Sequence, residues 1–582
     1  MQTEDLQRVT GGNPVFGAIT GAPYRLTSIA DLKAIDVRTV ANGQVVELLG
    51  YVTAGDGGGG LFTYSNSSTS SDNGGTVIAP TAGAGRWLRT IVGSISIVCF
   101  GAKCDGVTDD HAAINNALAA AGAVLIPPAA TTLISGALVM PSNSSITGAG
   151  PGSTILVGAA IGILAASATG IKLTNLTIAG SGILCAQLLS LSTVDNVAVR
   201  YVTFTGAGKA SASLRAAISL RNVTNCWIED CIFYGNGDGS AGGFDIVANY
   251  NAGGCSFVHM LRNRHHDSTN DTTIGMFDTR DSEVVGCDIN QNNFLVNPAA
   301  SGYAVLFYTT VLADATTCCL RNKVSGNSIQ NTAGSAVYIQ GGSYSSVEGN
   351  YLYDTCKQQT DGSLPVGAVA INAGNTASLI TTQAIVARNI IVTSGKNGMS
   401  IANTDSILID GNQISGTTKA GIFFGGNDTK ARVVNNRVLA PVTDGLLFAT
   451  SGLSGIVVEH NDFLNSSGGF GINDNGTTSS IFRFNNLYGN SSGPYAFTHA
   501  VLTEGNLTTA TGVLRGTAQL SGGTVTVSSA EIRAGDTVRI YRQVTGGTLG
   551  NLSLGTINAA TSFVINSSGG SDTSYVGWEI VH

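Results

Sequence analysis

The chain has 582 residues, 29 of them basic and 37 acidic, a net charge of -8 and 77 glycines. Only 11% of its residues are charged, against roughly a quarter in an average globular protein, and the acidic balance speaks against nucleic acid as a main partner. No apolar run reaches the roughly eighteen residues of a helical membrane span, and the opening "MQTEDLQRVTGGNPVFG" lacks the basic-then-apolar pattern of a secretory signal, so folding in a cytosol is expected.

In chain order, residues 50–90 are rich in Gly, Ser and Thr. Their "GDGGGG" lacks the Lys-Ser/Thr and the following helix of a phosphate-binding loop and reads as turn. Residues 100–126, "FGAKCDGVTDDHAAINNALAAAGAVLI", predict a capping helix. Thr108 is its expected N-cap, Asp109 and Asp110 sit at its positive end, and Ile114, Ala117, Leu118 and Ala121 form one face before Gly122 stops it. The helix dipole accounts for the carboxylates of "TDDH" without a metal or catalytic role.

From about residue 145 to 505 one phrase recurs: "VSGNSIQ", "VEGNYLY", "VARNIIV", "IDGNQIS", "VVNNRVL", "VEHNDFL" and "FRFNNLY". Its Asn falls at 327, 350, 389, 412, 436, 461 and 486, mostly 23 to 25 residues apart. A second short strand follows each time, as in "SAVYIQGG" and "GAVAINAG". Alternation over four to six residues excludes helical repeats, and short strands at a fixed period bury their inner faces only by stacking, which predicts a parallel β-helix. The recurring Asn is expected at a left-handed bend, laddering with the Asn of the next coil, and in earlier coils its slot is assigned to Val202, Cys231, Asn263 and Cys287. About a dozen coils result. The ten cysteines lie at irregular spacings in strand-like text and read as buried free thiols. Beyond residue 515, period-two strands alternate with Gly/Ser turns, the pattern of a small antiparallel sandwich.

Charge is concentrated where it is otherwise scarce: residues 229–288 hold ten of the 37 carboxylates. Aligning "GGFDIVAN" with "GSAVYIQG" turns Phe244 and Ile246 inward and Asp245 outward, in the column of Tyr338. Asp278 falls at or just past the end of the equivalent strand of the next coil, with Asp281 and Glu283 in the following bend. Carboxylates on neighbouring coils bracket the separations used in glycoside hydrolysis, so Asp245, Asp278 and Asp281 are the candidate acid, base or nucleophile. Arg280 is a candidate partner for an acidic sugar or for Asp278, and Tyr308 and Tyr338 for stacking on sugar rings. His266 follows the Asn263 bend together with His265; both are expected to be solvated, with His266 a candidate substrate contact.

The phrase "FGAKCDGVTDDHAAINNAL" with the later "VLIPP" resembles the opening of the pectate-lyase-like superfamily of right-handed parallel β-helices, which includes polygalacturonases, pectate lyases and bacteriophage tailspikes; Cys104 stands where that family usually has Gly. "GYVTAGDGGGGLFTYSNSSTSSDNGGTVIAPTAGAGRWLRT" resembles the small module that precedes the β-helix in many tailspikes, and the end of the chain looks like a C-terminal module of tail fibres and tailspikes. The paired aspartates that polygalacturonases carry in a "GDD" phrase on a strand have no counterpart here, so the resemblance supports the location of a site and not its residues.

What this implies is an all-β chain in five parts: an attachment segment (1–23), a small tailspike-like module (24–93), a lead-in strand and capping helix (94–144), the β-helix (145–505) and a C-terminal sandwich for trimerisation or carbohydrate binding (506–582). The implied function is a phage tailspike depolymerase cutting bacterial capsule or O-antigen, by hydrolysis first, with a lyase using Arg280, His266 and Tyr308 as the alternative and a non-cleaving adhesin as the rival. The implied partners are the polysaccharide, two further copies of the chain in a homotrimer, and a virion tail or baseplate protein bound through the N-terminus; neither nucleic acid, membrane, metal nor cofactor is expected. The location is the virion tail, acting outside the cell after assembly in a host cytoplasm.

Overall fold

The computed structural model describes residues 24–581 except 183–184, 209–214, 238–242, 249–253, 270–271, 292–301, 311–318, 358–365, 373–380, 499–501 and 510–512. The expected attachment segment 1–23 lies outside the described residues. The fold is all-β, a parallel β-helix of about 16 turns with a small N-terminal β module and antiparallel sheets at the C-terminus. The chain falls into two compact units that divide at residue 270.

In the first unit a five-stranded sheet gathers Phe62, Tyr64, Trp87, Val46 and Leu48 around the helix Ile29–Ala34, whose N-cap Ser28 accepts from the Asp31 N–H. The glycine run of this module wraps a carboxylate: Asp56 accepts the N–H groups of Tyr51, Val52, Thr53 and Gly58 at 2.7–3.0 Å. Arg89 then donates to the carbonyls of Gly58, Gly59 and Gly75. Four backbone donors stabilise a charged group strongly, so this acid holds a turn together.

The parallel pairing of the solenoid begins at Ile95–Ser96, which joins Ala123–Ile126, and this early start brings the turns above the dozen expected. The capping helix runs His111–Ala121 and buries Ile114, Ala117 and Leu118 as expected, but it starts later than the sequence suggested. Thr108 does not cap it; its N–H and hydroxyl both bond Asp105 in a preceding strand. Asp110 occupies the cap position and accepts from the N–H groups of Lys103 and Cys104, while Asp109 accepts the N–H of His111. The two longest strand runs, Ile161–Gly180 and Gln187–Thr205, turn corners at left-handed residues such as Asn175 and Asn196. Within the solenoid Phe204, Phe233 and His265 form one stack of buried rings, with successive centroids 5.1 and 4.5 Å apart.

In the second unit the coils stack in register, so that Val305, Val337, Val369 and Met399 form one core column and Phe307, Ile339, Ile371 and Ile401 another. At one corner the N–H of each of Asn327, Asn350, Asn389, Asn412, Asn436, Asn461 and Asn485 bonds the Oδ1 of the next, ending at Asn506, at 2.8–3.1 Å. Each Nδ2 reaches the same oxygen. Two details of the reading change. The ladder takes Asn485, and Asn486 instead bonds Asp462 at the surface. The left-handed residue is the one before each ladder Asn, whether Gly326, Gly349 and Gly411 or Arg388, Asn435, His460 and Phe484.

Among the described residues nine cysteines are free and eight of them are buried. Burial pushes the thiols of Cys185, Cys231, Cys319 and Cys356 up to about 12, which leaves them inert fillers. The unit ends in two three-stranded antiparallel sheets that enclose Leu520, Ile532, Phe563, Ile565, Val576 and Trp578. The buried Glu531 accepts the N–H and hydroxyl groups of Thr508 and Thr509, and Arg533 lies 4.9 Å over the ring of Tyr495, which fastens this module to the last coil.

Candidate active site

In the first unit the outer strands carry aromatic and charged side chains in register. Trp227 lies opposite His259 with their rings 5.2 Å apart, and Tyr234 lies opposite His266 with rings 5.6 Å apart and nearly parallel. At the corner between these two pairs Arg262 is bidentate to Asp230, and Arg200 bonds Glu229 at 3.1 Å. His266 is half-buried, and its Nδ1 is 2.8 Å from Asp267.

Asp245 does not reach solvent. It is fully buried, as is the whole strand Gly243–Ala248, so alternation along this strand does not report which side meets solvent. Its carboxylate accepts from Asn236 Nδ2 and Ser268 Oγ at 3.0 Å and is 2.9 Å from His265 Nδ1. Asn236 in turn accepts the Ala207 N–H and donates to the Phe204 carbonyl. His265, expected in solvent, is 2% exposed and continues the Phe204–Phe233 stack; its Nε2 has no hydrogen-bond partner. A buried charge needs this kind of compensation, and the pocket supplies it from a bend and a neighbouring strand.

In the second unit the chain turns a corner at Asp278, which is left-handed and 7% exposed. Its carboxylate accepts the N–H of Thr310 at 2.8 Å and the Thr310 hydroxyl, and its own N–H bonds the Tyr308 carbonyl. Tyr308 pairs with Phe277 across the coils, their rings 5.9 Å apart. Past the corner Arg280 is half-buried, and among the described residues it makes no ion pair, with Asp278 or any other acid. Asp281 is not free: Arg321 holds both its oxygens, at 2.6 and 2.7 Å.

Tyr338 lies off the main core as its register implied, but not in solvent. It is 2% exposed, within a separate cluster of Leu306 and Ala370 fringed by half-buried Phe277, Tyr303 and Tyr308. Its ring stacks on Tyr303 at 4.7 Å, its hydroxyl donates to Gln340 Oε1, and burial pushes its phenol up. Gln340 and Asn372 lie side by side in register and buried, and Gln340 Nε2 and Asn372 Oδ1 have no hydrogen-bond partner among the described residues.

The second unit therefore brings together Asp278 and Tyr308 of the expected residues, with Arg280 two positions further along the chain, and with Thr310, Phe277 and Tyr303 as neighbours that the sequence reading passed over. Gln340 and Asn372, also passed over, left one signal, as the polar residues closing "AVYIQ" and "AVAIN" at the same place in successive coils. What the corner offers is a cation without a counter-ion among the described residues, a half-open phenol, and a carboxylate held by a hydroxyl. No group of three or more His, Cys, Asp or Glu with metal-holding geometry occurs among the described residues.

Four family models match in order along the chain. Residues 25–92 match a phage tail protein small four-stranded beta-sheet domain, 94–294 a pectate lyase-like rhamnogalacturonase A/epimerase model, 308–438 and 363–508 a right handed beta helix region, and 512–581 the C-terminal domain of a K1 capsule-specific polysaccharide lyase. The chain is thus similar, module by module, to a phage tail domain, a pectate-lyase-like model, a right-handed β-helix and a capsule-lyase C-terminal domain. Among solved structures it is similar to tailspike protein gp49 of Acinetobacter baumannii bacteriophage Fri1, a capsular polysaccharide depolymerase, at 14% identity over 96% of this chain and 98% of that one, with a TM-score of 0.47. It is also similar to the enzymatically active domain of tailspike protein 2 of bacteriophage CBA120, at 14% identity over 96% and 80%, TM-score 0.39. PfbA, a surface adhesin of Streptococcus pneumoniae, matches at 14% identity over 81% and 98%, TM-score 0.41. No residue role is carried over from any of the three.

Proposed function

We propose that the protein is a phage tailspike depolymerase that binds a bacterial surface polysaccharide, capsule or O-antigen, and cleaves it internally at the Asp278 corner. The observation that carries this reading is Arg280, which makes no ion pair among the described residues and lies two positions past Asp278, whose N–H bonds the carbonyl of the half-buried Tyr308. The matches to phage-tail, pectate-lyase-like and capsule-lyase modules support it. Assembly as a homotrimer and attachment to a tail or baseplate protein through residues 1–23 belong to the same proposal.

The groups at the corner suit an elimination on a uronate-containing chain. Arg280 would bind the sugar carboxylate, whose neutralisation makes the adjacent C5 proton removable. Tyr308, acting as its phenolate, would take that proton as base; the C4–oxygen bond then breaks, leaving a C4–C5 double bond, and the phenol formed passes the proton to the departing oxygen, which restores the phenolate. Atoms balance without a co-reactant. Tyr303 and Phe277 would support neighbouring sugar rings.

Hydrolysis is the second reading, favoured by Asp278, whose charge is met by a threonine and by no cation among the described residues. It needs a second carboxylate, and Asp281 must leave Arg321 to serve. Digestion of capsular and O-antigen polysaccharides followed by mass spectrometry separates the two. Products with an ultraviolet-absorbing double bond and no added water are expected; saturated products carrying one added water would replace elimination with hydrolysis.

A further inference from the structure

The two sheets of the C-terminal module present unlike outer faces. The face of Thr524–Ser528, Ser562–Ser567 and Leu552–Asn558 shows Thr524, Thr526, Ser528, Ser553 and Asn566, all small and uncharged. The face of Arg515–Gln519, Tyr575–Val581 and Thr537–Val544 is aromatic and basic. Across it Arg515, Glu579 and Arg539 form one row, Thr517, Gly577 and Tyr541 the next, and Gln519 and Tyr575 the third.

Tyr541 is 53% exposed, and its ring lies flat across the next strand at Gly577. A Cβ at Gly577 would sit 2.5 Å from that ring and 2.8 Å from Gln543 Nε2, so the glycine is what lets the ring lie down. Gln543 is fixed by the Thr517 hydroxyl at 2.8 Å, with its Nε2 3.5 Å from the Tyr541 hydroxyl. Tyr575 is 44% exposed beside this platform. Of the two arginines, Arg539 reaches Glu579 only at 3.5 Å and Arg515 forms no ion pair among the described residues. The row is therefore net positive in a chain of net charge -8.

We propose that this face is a second, non-catalytic glycan site that takes an extended anionic polysaccharide. The Tyr541 ring stacks on a sugar face, Arg515 and Arg539 take sugar carboxylates, and the Gln543 amide takes a hydroxyl. Charge favours this occupant over a symmetric pairing with a second copy, which would set arginines against arginines. Only the choice of an anionic polymer leans on the depolymerase reading. The site would hold the protein on the polymer between cuts and raise effective affinity by linkage.

The test is affinity electrophoresis of the full chain through gels containing polygalacturonate or neutral dextran. Polygalacturonate is expected to retard the wild type in a salt-sensitive manner and dextran to leave it unretarded. Tyr541→Ala and the pair Arg515→Gln with Arg539→Gln should each weaken retardation about tenfold. Gly577→Ser, which keeps the tyrosine but tips its ring, should do the same, with thermal melting reporting that each variant folds. Equal retardation of variants and wild type, or none by polygalacturonate, overturns the proposal. A change in oligomeric mass by light scattering on Tyr541→Ala also overturns it, since the face would then be an interface between copies. If the depolymerase reading fails because nothing is cleaved, gel retardation still decides this one.

Discussion

Asp428 shows how burial sets a single residue's chemistry. Its carboxyl is buried, accepts from the Thr404 N–H and hydroxyl through one oxygen, has no partner for the other among the described residues, and is pushed up to about 6 by desolvation. An acid whose folded pKa lies above its unfolded value binds protons better when folded, so its contribution is most favourable below about pH 4 and is lost as pH rises through about 6. The cost at pH 8 is of the order of 3 kcal/mol. Asp428→Asn is accordingly expected to raise the unfolding midpoint at pH 8 and to change it little at pH 4, measured by thermal melting in both buffers. Asp245 is the opposite case, a buried carboxylate with three polar partners described. Asp245→Asn weakens the contact to His265 and is expected to cost about 1–3 kcal/mol of stability, read from denaturant midpoints, while the cleavage rate of the folded fraction stays within twofold. A rate loss of a hundredfold at unchanged stability would return Asp245 to the reacting set. The sequence displayed both residues but not their surroundings. Periodicity locates a residue on a strand, whereas the burial of both sides of Gly243–Ala248 depends on chain distant in sequence.

At the scale of the element, the coil and its Asn corner were legible because a stacked repeat imposes the same demand on the same position many times. The ladder was read one residue off at Asn486 because "FRFNNLY" offers two asparagines and only pairing partners choose between them; Arg483 opposite Glu459 fixes Asn485 as the inner one. The bend was misassigned for a related reason. Asn tolerates left-handed backbone, yet here its amide satisfies its neighbours while the preceding residue takes the strain, even as Arg388, His460 or Phe484. Asn412→Ala removes the acceptor of the Asn389 N–H and the donor to the Val386 carbonyl. Two buried backbone groups left open should cost about 3 kcal/mol, seen as a lower thermal midpoint. The same change at surface Asn486 should fall within about 0.5 kcal/mol. The capping helix was placed to within a turn, and its start slipped because Thr108 found a closer partner in Asp105.

For the whole molecule, module order carried the reading. Matches to a phage-tail β domain, a pectate-lyase-like model, a β-helix and a capsule-lyase C-terminal domain follow one another, in the order in which the sequence showed a small module, a capping helix, a repeat and a terminal sandwich. The chemistry was less legible because it depends on which charges are already spent. Asp281 and Arg280 look equivalent in "TRDSE", yet Arg321, forty residues later in the chain, claims the aspartate and leaves the arginine. The most direct measurement of the central claim is the chain length of purified capsular and O-antigen polysaccharides during incubation with the wild type, Arg280→Gln and Tyr308→Phe proteins, followed by size-exclusion light scattering. The account expects the wild type to shorten at least one polymer by internal cuts, with each variant slower by about a hundredfold or more at unchanged melting. Binding of a polymer without any shortening would contradict it and make the protein an adhesin, and full activity in both variants would move the chemistry away from the Asp278 corner.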